Sequence, residues 1–498
     1  MKTNKLIFFL LVALAGVSCS DEFFNVPVTS TATAEAVKEE LEDDPASILS
    51  LVNAAYTTMV QLGLYSGSHD VFGYMSILHA TDMMSGDIAM YRLDWFANDY
   101  LHLNRNWTQS RTNMIWGYFY TIITIANKVL SLTSASSESP DIRAARGQAL
   151  ALRAFSYLYL VQLYQHVYPV VATGGKDQPG VPLYYASNEE KKSITGRASV
   201  KTILAQIEED LTTAIKNLKD WQRTSKNQID YNVANGLLAR YCLLTQKWDE
   251  AIAAAKEARK TYSIMPAAEI HTGFMDIDNA EWMWGFDHNA KTSTLYGSFF
   301  SHISNLTAGY AGLGYAPRLI DRELYNRILG TDERKKWFQS DPAKVLPKTT
   351  PAADATFWKL PYANLKFGYD GAFTQDYVYM RAAEMVLIEA EALASKNNLT
   401  GAATVLNELL SKRGTNLTKT SVYVKDIWEQ RRIELWGEGF AMFDLKRQNK
   451  GIDRNYPESN HYSSAKIPVP AQDKRWIYQI PRSEILENPS ITEADNNE

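Results

Sequence analysis

Two amphipathic segments follow each other in the chain with almost no linker, and this arrangement restricts the fold more than any other feature of the sequence. The segments YNVANGLLARYCLLTQ (231–246) and KWDEAIAAAKEARKTY (247–262) both have apolar residues at helical spacing. Together they have the pattern of a tetratricopeptide helix pair, a unit of about 34 residues. Small residues lie where the two helices would touch, at Ala234, Gly236, Ala239, Ala251 and Ala255. Because such a pair cannot close a core alone, the sequence predicts several pairs stacked into one scaffold.

Other periodic segments extend this prediction along the chain. The segment 141–165 is apolar almost all round, which indicates a buried helix, and Asp44 before Pro45 is predicted to cap the first helix. We therefore predict an all-α fold in which tetratricopeptide-like pairs form a scaffold with a loop-rich face. The predicted helices outside the first pair are 44–65, 110–132, 141–165, 198–218, 377–398 and 399–414.

Four long segments between these helices lack helical periodicity and are rich in Gly, Tyr, Trp and Asn. Loops of such length in a compact domain are usually functional. Trp282 and Trp284 alternate as in a short strand, so at least one of them is predicted to be in the core. The glycine-rich stretch 309–317 has neither GxGxxG nor P-loop spacing, and we interpret it as a flexible loop. The four segments are 66–109, 166–197, 264–376 and 448–498.

The first residues have the pattern of a bacterial lipoprotein signal. Lys2 and Lys5 precede an apolar run at 6–16 that is too short to span a bilayer. The sequence GVSCSDEFF follows, and its Cys19 is one of only two cysteines in 498 residues. We expect residues 1–18 to be removed and Cys19 to be acylated, since two or more acyl chains give stable membrane anchoring. An ordinary cleavage site with an incidental cysteine is the alternative interpretation.

The charge and the remaining ligand-type residues argue against several classes of protein. Without the two lysines of the signal, 49 Lys+Arg face 56 Asp+Glu, a net charge of −7 that argues against nucleic acid as the partner. Cys242 lies on an apolar helical face and is predicted to be a core residue. The histidines show no HExxH motif, so neither a zinc site nor any cofactor is predicted. A structural calcium stays open, although DIDNAE (276–281) lacks the glycine and distal glutamate of a calcium loop.

Five ordered segments and the lipoprotein signal resemble the RagB/SusD family of surface nutrient-binding lipoproteins. The resemblance divides the mature chain into a SusD-like N-terminal region (19–220) and a C-terminal region (221–498). CSDEFF also resembles the acidic signal that sends lipoproteins to the outer face of the outer membrane in Bacteroidetes-type bacteria. Phe440 and Ala441 depart from the family, which usually has an arginine there. The segments are YFYTIITIANKVL (118–130), RGQALALRAFSYLYLVQLYQHVYPV (146–170), YMRAAEMVLIEAEALA (379–394), IWEQRRIELWGEGFAMFDLKR (427–447) and YQIPRSEILENPSI (478–491).

This resemblance implies a role, a partner and a location. Members of the family cap a SusC-like TonB-dependent outer-membrane transporter, bind a glycan at the cell surface and release it into the barrel. The implied location is therefore the outer membrane, with the protein lipid-anchored and exposed at the cell surface. Peptide capture by a RagB-like lid of such a transporter is an alternative, and a glycoside hydrolase is a less favoured one.

The hydrolase alternative is tested by the carboxylates of the sequence. A glycosidase needs two carboxyl groups about 5–10 Å apart across a cleft. Asp82, Asp87 and Asp94 are loop acids without a diagnostic pattern. Glu434 and Glu438 share a helix face near basic residues that include Arg431, which favours a buried ion-pair network over catalysis. The sequence therefore predicts a binding protein that is not an enzyme.

The resemblance places the ligand site on the first and third loop segments. Sugar rings lay their apolar C–H faces on aromatic planes, while their hydroxyls bind carboxylates, amides and arginine. We predict that Trp95 and Tyr91 stack on the ligand and that Asp82, Arg92 and Asp94 bind its polar groups. The candidates from the third segment are Tyr296, Phe299 and Tyr310 for stacking, with His288 and Asn289 for hydrogen bonds.

Overall fold

A computed structural model describes residues 44–415 and 418–498 of the chain. Within it, Pro45–Glu498 form one compact unit. The predictions for the signal 1–18 and for acylation of Cys19 lie outside the described residues. None of the described helices is both long enough and apolar enough to cross a membrane.

The fold is mainly helical, as the sequence predicts, with only short strands in the described part. The strands are β1 (Ile88–Met90), β2 (Trp282–Phe286), β3 (Arg318–Ile320) and β4 (Tyr377–Arg381). The helices of the N-terminal half are α1 (Ile48–Thr58), α2 (Tyr74–Met84), α3 (Ala97–Tyr100), α4 (Ser110–Leu132), α5 (Pro140–Tyr164), α6 (Tyr168–Ala172), α7 (Val200–Leu218), α8 (Tyr231–Thr245) and α9 (Trp248–Arg259). Those that follow are α10 (Phe299–Ile303), α11 (Arg322–Arg327), α12 (Ala382–Ser395), α13 (Leu399–Ser411), α14 (Val424–Glu434), α15 (Ala441–Arg447) and α16 (Arg482–Glu487).

One continuous stack of helices forms the scaffold. Helix α4 packs on α5, α5 on α7, α7 on α8, α8 on α9, α9 on α12 and α12 on α13. The three predicted pairs, α4–α5, α8–α9 and α12–α13, are therefore members of one stack, which confirms the tetratricopeptide-like scaffold. Helix α5 has 19 of its 25 residues buried and is the buried helix that the sequence predicts. Cys242 on α8 is a buried free thiol, also as predicted.

The structure corrects the helix predictions in three places. Helix α1 runs only from Ile48 to Thr58, after a 3-10 turn at Pro45–Ser47, so it is shorter than the predicted helix 44–65 and Asp44 is not its cap. Residues 377–381 form strand β4, because their alternating aromatic and apolar side chains suit a strand buried on both faces. The segment 66–109 contains α2, which sequence periodicity does not reveal because all 11 of its residues are buried.

Two short antiparallel ladders join segments that are distant in sequence. Strand β2 pairs with β4, and both Trp282 and Trp284 are buried, in agreement with the strand prediction. Strand β1 pairs with β3, with Ile88 opposite Ile320. Because β1 directly precedes the loop that carries Trp95 and β3 directly follows the glycine-rich stretch 309–317, this second ladder brings the two predicted ligand loops together.

A network of buried charges fixes the C-terminal helices against the rest of the unit. Glu434 lies between three guanidinium groups and Glu438 between a guanidinium and an ammonium group, which confirms the predicted ion-pair network. Glu438 lies beyond the end of α14, however, so the two carboxylates do not share the predicted helix face. Arg431 pairs instead with Asp444, at 2.9 Å. The network contains four cations, Arg334, Lys366, Arg381 and Arg413, and four carboxylates, Glu281, Asp332, Glu434 and Glu438.

The contact between α5 and α7 depends on a glycine. A Cβ atom on Gly147 would lie 2.6 Å from Cγ of Leu218, closer than side chains can pack. We expect Gly147→Ala to lower the free energy of unfolding by about 1–3 kcal/mol, because the extra methyl overpacks this interface. Urea denaturation measures the change. Gly330→Ala is the matched control, since a Cβ on Gly330 meets no atom within 4 Å, and equal effects of the two substitutions would contradict the prediction.

Candidate ligand-binding site

The two predicted ligand loops meet at a group of aromatic side chains. Tyr310 is at its centre, with its ring centroid 4.6 Å from Trp95 and 6.0 Å from Tyr296. Tyr315 approaches the same ring at 6.0 Å, and Nδ1 of His69 lies 2.7 Å from the Tyr310 hydroxyl oxygen. We call these five residues the aromatic cluster. Tyr296 and Tyr315 are 45% and 50% exposed, so the cluster presents ring surface to solvent.

The glycines of residues 309–317 allow this loop to fold tightly beside Trp95. A Cβ on Gly312 would lie 1.9 Å from the carbonyl oxygen of Thr307. Gly314 has a φ of +88°, and its Cα lies against the ring of Phe357. The sequence predicts a flexible loop here. The structure instead shows a packed turn in which neighbouring atoms leave no room for a side chain at Gly312 or Gly314. This turn holds Tyr310 and Tyr315 in place.

A fully buried arginine connects the backbones of the two loops. Nη2 of Arg318 donates to the carbonyl oxygen of Trp95 at 2.9 Å, and Nη1 donates to the carbonyl oxygen of Ala316, also at 2.9 Å. Its Nε donates to Nε2 of His79 on α2 at 3.2 Å. Burial lowers the pKa of Arg318 to about 9. The guanidinium therefore positions the backbone of both loops and presents no free donor to solvent.

A polar cleft of about 260 Å³ opens beside Trp95. Its polar lining consists of three carboxylates and two amides, from Asp70, Asp94, Asn98, Asp99 and Asn104. Nη2 of Arg111 on α4 binds Oδ2 of Asp70 at 2.6 Å and Oδ2 of Asp99 at 3.1 Å. Burial alone would raise the pKa of Asp70, but the Arg111 guanidinium and neighbouring hydrogen bonds hold it below the usual value. The cleft is thus lined by hydrogen-bond acceptors next to an aromatic platform.

The structure brings together four of the ten site residues predicted from the sequence. Trp95, Tyr296 and Tyr310 belong to the aromatic cluster, and Asp94 is exposed at the cleft. The prediction missed His69 and Tyr315. Two sequence patterns point to them: Gly and Ser residues precede His69, and GYAGLGY repeats a tyrosine after a glycine at Tyr310 and Tyr315.

Three of the predicted residues are buried away from the cluster, which corrects their assignment. Phe299 is 1% exposed and packs in the core against Phe367. His288 is 8% exposed with its ring 4.3 Å from that of Tyr377, and burial lowers its pKa to about 4. Asp82 is 2% exposed and accepts hydrogen bonds from the backbone N–H of Gly439 at 2.8 Å and of Ala441 at 3.2 Å, at the start of α15.

The remaining predicted residues are exposed but make no ring contact within the cluster. Tyr91 is 50% exposed and pairs with Phe357, at a centroid distance of 6.2 Å. Arg92 is exposed next to it. Asn289 is exposed and stabilises its own turn, because its Oδ1 accepts from the N–H of Lys291 at 2.9 Å. Tyr91 and Arg92 are therefore sequence neighbours of Trp95 outside the cluster, whereas the side chain of Asn289 stabilises its own turn.

The burial of Asp82 predicts a pH effect on stability. Burial raises its pKa from 3.8 to about 7, so the ionised carboxylate is less favourable in the folded state than in the unfolded chain. The contribution of the protonated Asp82 carboxyl to the free energy of unfolding is therefore fully present below pH 3.8, and it is lost as the pH rises through 7. We expect the free energy of unfolding of the natural protein to fall by a few kcal/mol between pH 4 and 8 relative to Asp82→Asn.

Urea denaturation at several pH values measures this difference. Asp249→Asn is the control, because Asp249 is an exposed residue of α9. If Asp82→Asn and Asp249→Asn give parallel curves, Asp82 does not titrate in this range.

Comparison with known proteins identifies the family. Residues 38–243 match the model of the SusD-like family described as starch-binding and associating with the outer membrane, and residues 365–497 match the model of the SusD family. The chain belongs to the SusD/RagB family. It is a carbohydrate-binding family without a catalytic role, and it is associated with the outer membrane. No curated protein sequence matches the chain.

Solved structures agree with this assignment to the SusD/RagB family. A SusD-like carbohydrate binding protein from Bacteroides vulgatus is 26% identical, with a TM-score of 0.76 over 90% of this chain and 97% of its own. A SusD superfamily protein from Bacteroides thetaiotaomicron is 21% identical, with a TM-score of 0.72 over 91% and 99%. Surface glycan-binding protein A from Bacteroides uniformis is 19% identical, with a TM-score of 0.65 over 91% and 99%. The last two matches show a shared fold.

The described residues give no support for the structural calcium that the sequence left open. In residues 44–415 and 418–498, no group of three or more His, Cys, Asp or Glu residues has the arrangement of a metal site. A cleft of about 510 Å³ includes Asp276 and Asp278 of the DIDNAE segment among its lining residues. These two carboxylates do not form part of such a group, so the structure adds no support for a calcium ion there.

Proposed function

We propose that this SusD/RagB-family protein captures a glycan at the cell surface and delivers it, uncleaved, to a SusC-like TonB-dependent transporter. The observation that carries the proposal is the aromatic cluster, in which Trp95, Tyr296 and Tyr315 surround Tyr310. Exposed rings supply the flat apolar surface on which sugar rings stack. Beside them, the cleft supplies carboxylate and amide groups that accept hydrogen bonds from hydroxyls.

The proposal assigns different roles to the residues of the site. Trp95 and Tyr310 form the stacking platform, and Tyr296 and Tyr315 extend it. Asp94 binds hydroxyl groups of the sugar that lies on Trp95. These roles are supported by the ring contact between the half-buried Trp95 and Tyr310 at 4.6 Å and by the exposure of Tyr296 and Tyr315 beside them.

The proposal includes the location and the partner. Cys19 carries the lipid that anchors the protein to the outer membrane, and the mature chain faces the cell exterior. The regions 19–220 and 221–498 act as one unit that covers the transporter. The family association with the outer membrane supports this arrangement.

The test uses purified residues 20–498 and a panel of soluble polysaccharides and peptides. Retardation in gels that contain each polysaccharide reports binding, peptide binding is measured by calorimetry, and the same mixtures are assayed for new reducing ends. We expect retention by one class of glycan with no cleavage. Cleavage would replace the proposal with a hydrolase. Binding of peptides alone would support the alternative of a RagB-like peptide lid.

A further inference from the structure

We propose that the cleft beside Trp95 selects uncharged sugars and rejects sugars that carry a carboxylate or sulfate. This inference rests on the proposed function, because it concerns the ligand of the same site. The cleft is lined by Asp70, Asp94 and Asp99, together with the amides Asn98 and Asn104. Its polar groups are therefore mostly hydrogen-bond acceptors, which match the hydroxyl donors of a neutral sugar.

Asp94 is the carboxylate that a ligand meets first. It is an exposed residue of the cleft lining. Burial raises the pKa of Tyr310, and the negative charge of Asp94 raises it further. The charge of Asp94 therefore acts on the centre of the aromatic cluster. A sugar stacked on Trp95 or Tyr310 lies within the same electrostatic field, so an anionic substituent on it would be repelled.

The carboxylates deeper in the cleft are already shared with one cation. Nη2 of Arg111 contacts both Asp70 and Asp99. Asp99 is 1% exposed, and the Asn104 side chain hydrogen-bonds to its carboxylate. Asp70 and Asp99 therefore take up the charge of Arg111, which leaves none of it to attract an anionic ligand.

No residue among those described as lining the cleft carries a positive charge that is free to bind an anion. Arg111 is 3% exposed and engaged by Asp70 and Asp99. Arg318 is fully buried, and each of its three nitrogens donates to a protein acceptor. Arg92 is exposed in the neighbouring loop but is not part of the lining. The described lining of the cleft therefore lacks the arginine fork that usually binds carboxylate or sulfate groups.

The experiment compares three forms of one oligosaccharide derived from the polysaccharide that is retained in the panel. The first is the neutral oligosaccharide, the second has its primary hydroxyls oxidised to uronates, and the third is the methyl ester of the second. Calorimetry measures the affinity of each form at low and at high salt. We expect the uronate to bind about tenfold or more weakly than the neutral form at low salt, and the ester to recover most of the loss.

The variant Asp94→Asn identifies the origin of the discrimination. We expect it to improve uronate binding about three- to tenfold while changing the affinity for the neutral form less. Asp249→Asn, an exposed substitution on α9, makes the same change in net charge at a distant place and is expected to alter neither affinity.

The outcomes separate this inference from the proposed function. Equal or tighter binding of the uronate, with binding of the neutral form intact, overturns the selectivity and leaves glycan capture standing. Unchanged discrimination in Asp94→Asn overturns the role of Asp94. If none of the glycans in the panel is retained, glycan capture itself fails, and the selectivity fails with it.

Discussion

Replacing Glu434 with glutamine is expected to lower the free energy of unfolding by about 3–5 kcal/mol, the largest effect of any single substitution considered for this protein. Glu434 is fully buried and binds Arg381 at 2.7 Å, Arg413 at 2.7 Å and Arg334 at 3.1 Å. The buried network contains equal numbers of cations and carboxylates, so the amide leaves one cation without a compensating charge. That uncompensated charge in a buried site is the source of the cost.

A substitution on the same helix provides the control. Glu429 of α14 pairs with Arg327 at 3.2 Å, but both side chains are partly exposed. We expect Glu429→Gln to change the stability by less than about 1 kcal/mol, because solvent screens such a pair. Urea denaturation of both variants is the measurement. A cost for Glu434→Gln no larger than that for Glu429→Gln would show that the network is not electrostatically coupled.

The same network predicts loss of stability in acid. Burial alone would raise the pKa of Glu434, but the neighbouring guanidinium groups hold it well below 4.5. A carboxylate whose pKa is lowered on folding stabilises the protein above its unfolded value and loses that contribution as the pH falls through the folded one. The stability lost below pH 4.5 should therefore be smaller in Glu434→Gln than in the natural protein.

Replacing Trp95 with alanine is expected to weaken glycan binding by about 1–3 kcal/mol, which raises the Kd roughly 5- to 150-fold. Trp95 offers the largest ring of the aromatic cluster, contacts Tyr310 and lines the polar cleft. A few aromatic anchors usually dominate sites of this kind, and loss of the indole also removes one wall of the cleft. Calorimetry with the polysaccharide retained in the panel measures the change.

A tyrosine outside the cluster tests whether the effect is local. Tyr423 is 56% exposed at the start of α14 and is not in ring contact with the cluster. Tyr423→Ala should leave the Kd unchanged. Unchanged affinity in Trp95→Ala, with the melting temperature also unchanged, would remove Trp95 from the site and favour a different platform.

The sequence predicted most of the scaffold because its signals are local. Helical periodicity over 110–132 and 141–165 reproduced α4 and α5 to within a residue. The prediction failed where tertiary burial removes the periodic signal, as in α2, which is buried on every side. It also failed at 377–381, which was predicted as the start of a helix because it runs directly into the periodic segment of α12; its alternating side chains form a strand that pairs with β2.

The candidate site was predictable as a region but only partly as a set of residues. Loop composition pointed to Trp95 and Tyr310, which the structure brings together. The same composition included Phe299, which faces the core, because the sequence of a loop does not say which side of it meets solvent. His69 belongs to the cluster because its Nδ1 lies within hydrogen-bond distance of the Tyr310 hydroxyl. The two residues are 241 positions apart in the sequence, so no local pattern reveals this contact.

The ladder between β1 and β3 makes the proposed ligand site depend on the folding of the whole unit. Its three residue pairs join Ile88–Met90 to Arg318–Ile320, which are separated by more than two hundred residues that include most of the helix stack. Closing a contact of such long sequence separation costs conformational entropy of the intervening chain. A nascent chain that has emerged only as far as α9 therefore contains one ligand loop without the other. On the proposed function, the ability to hold a ligand arises only when residues 318–320 have joined the first strand.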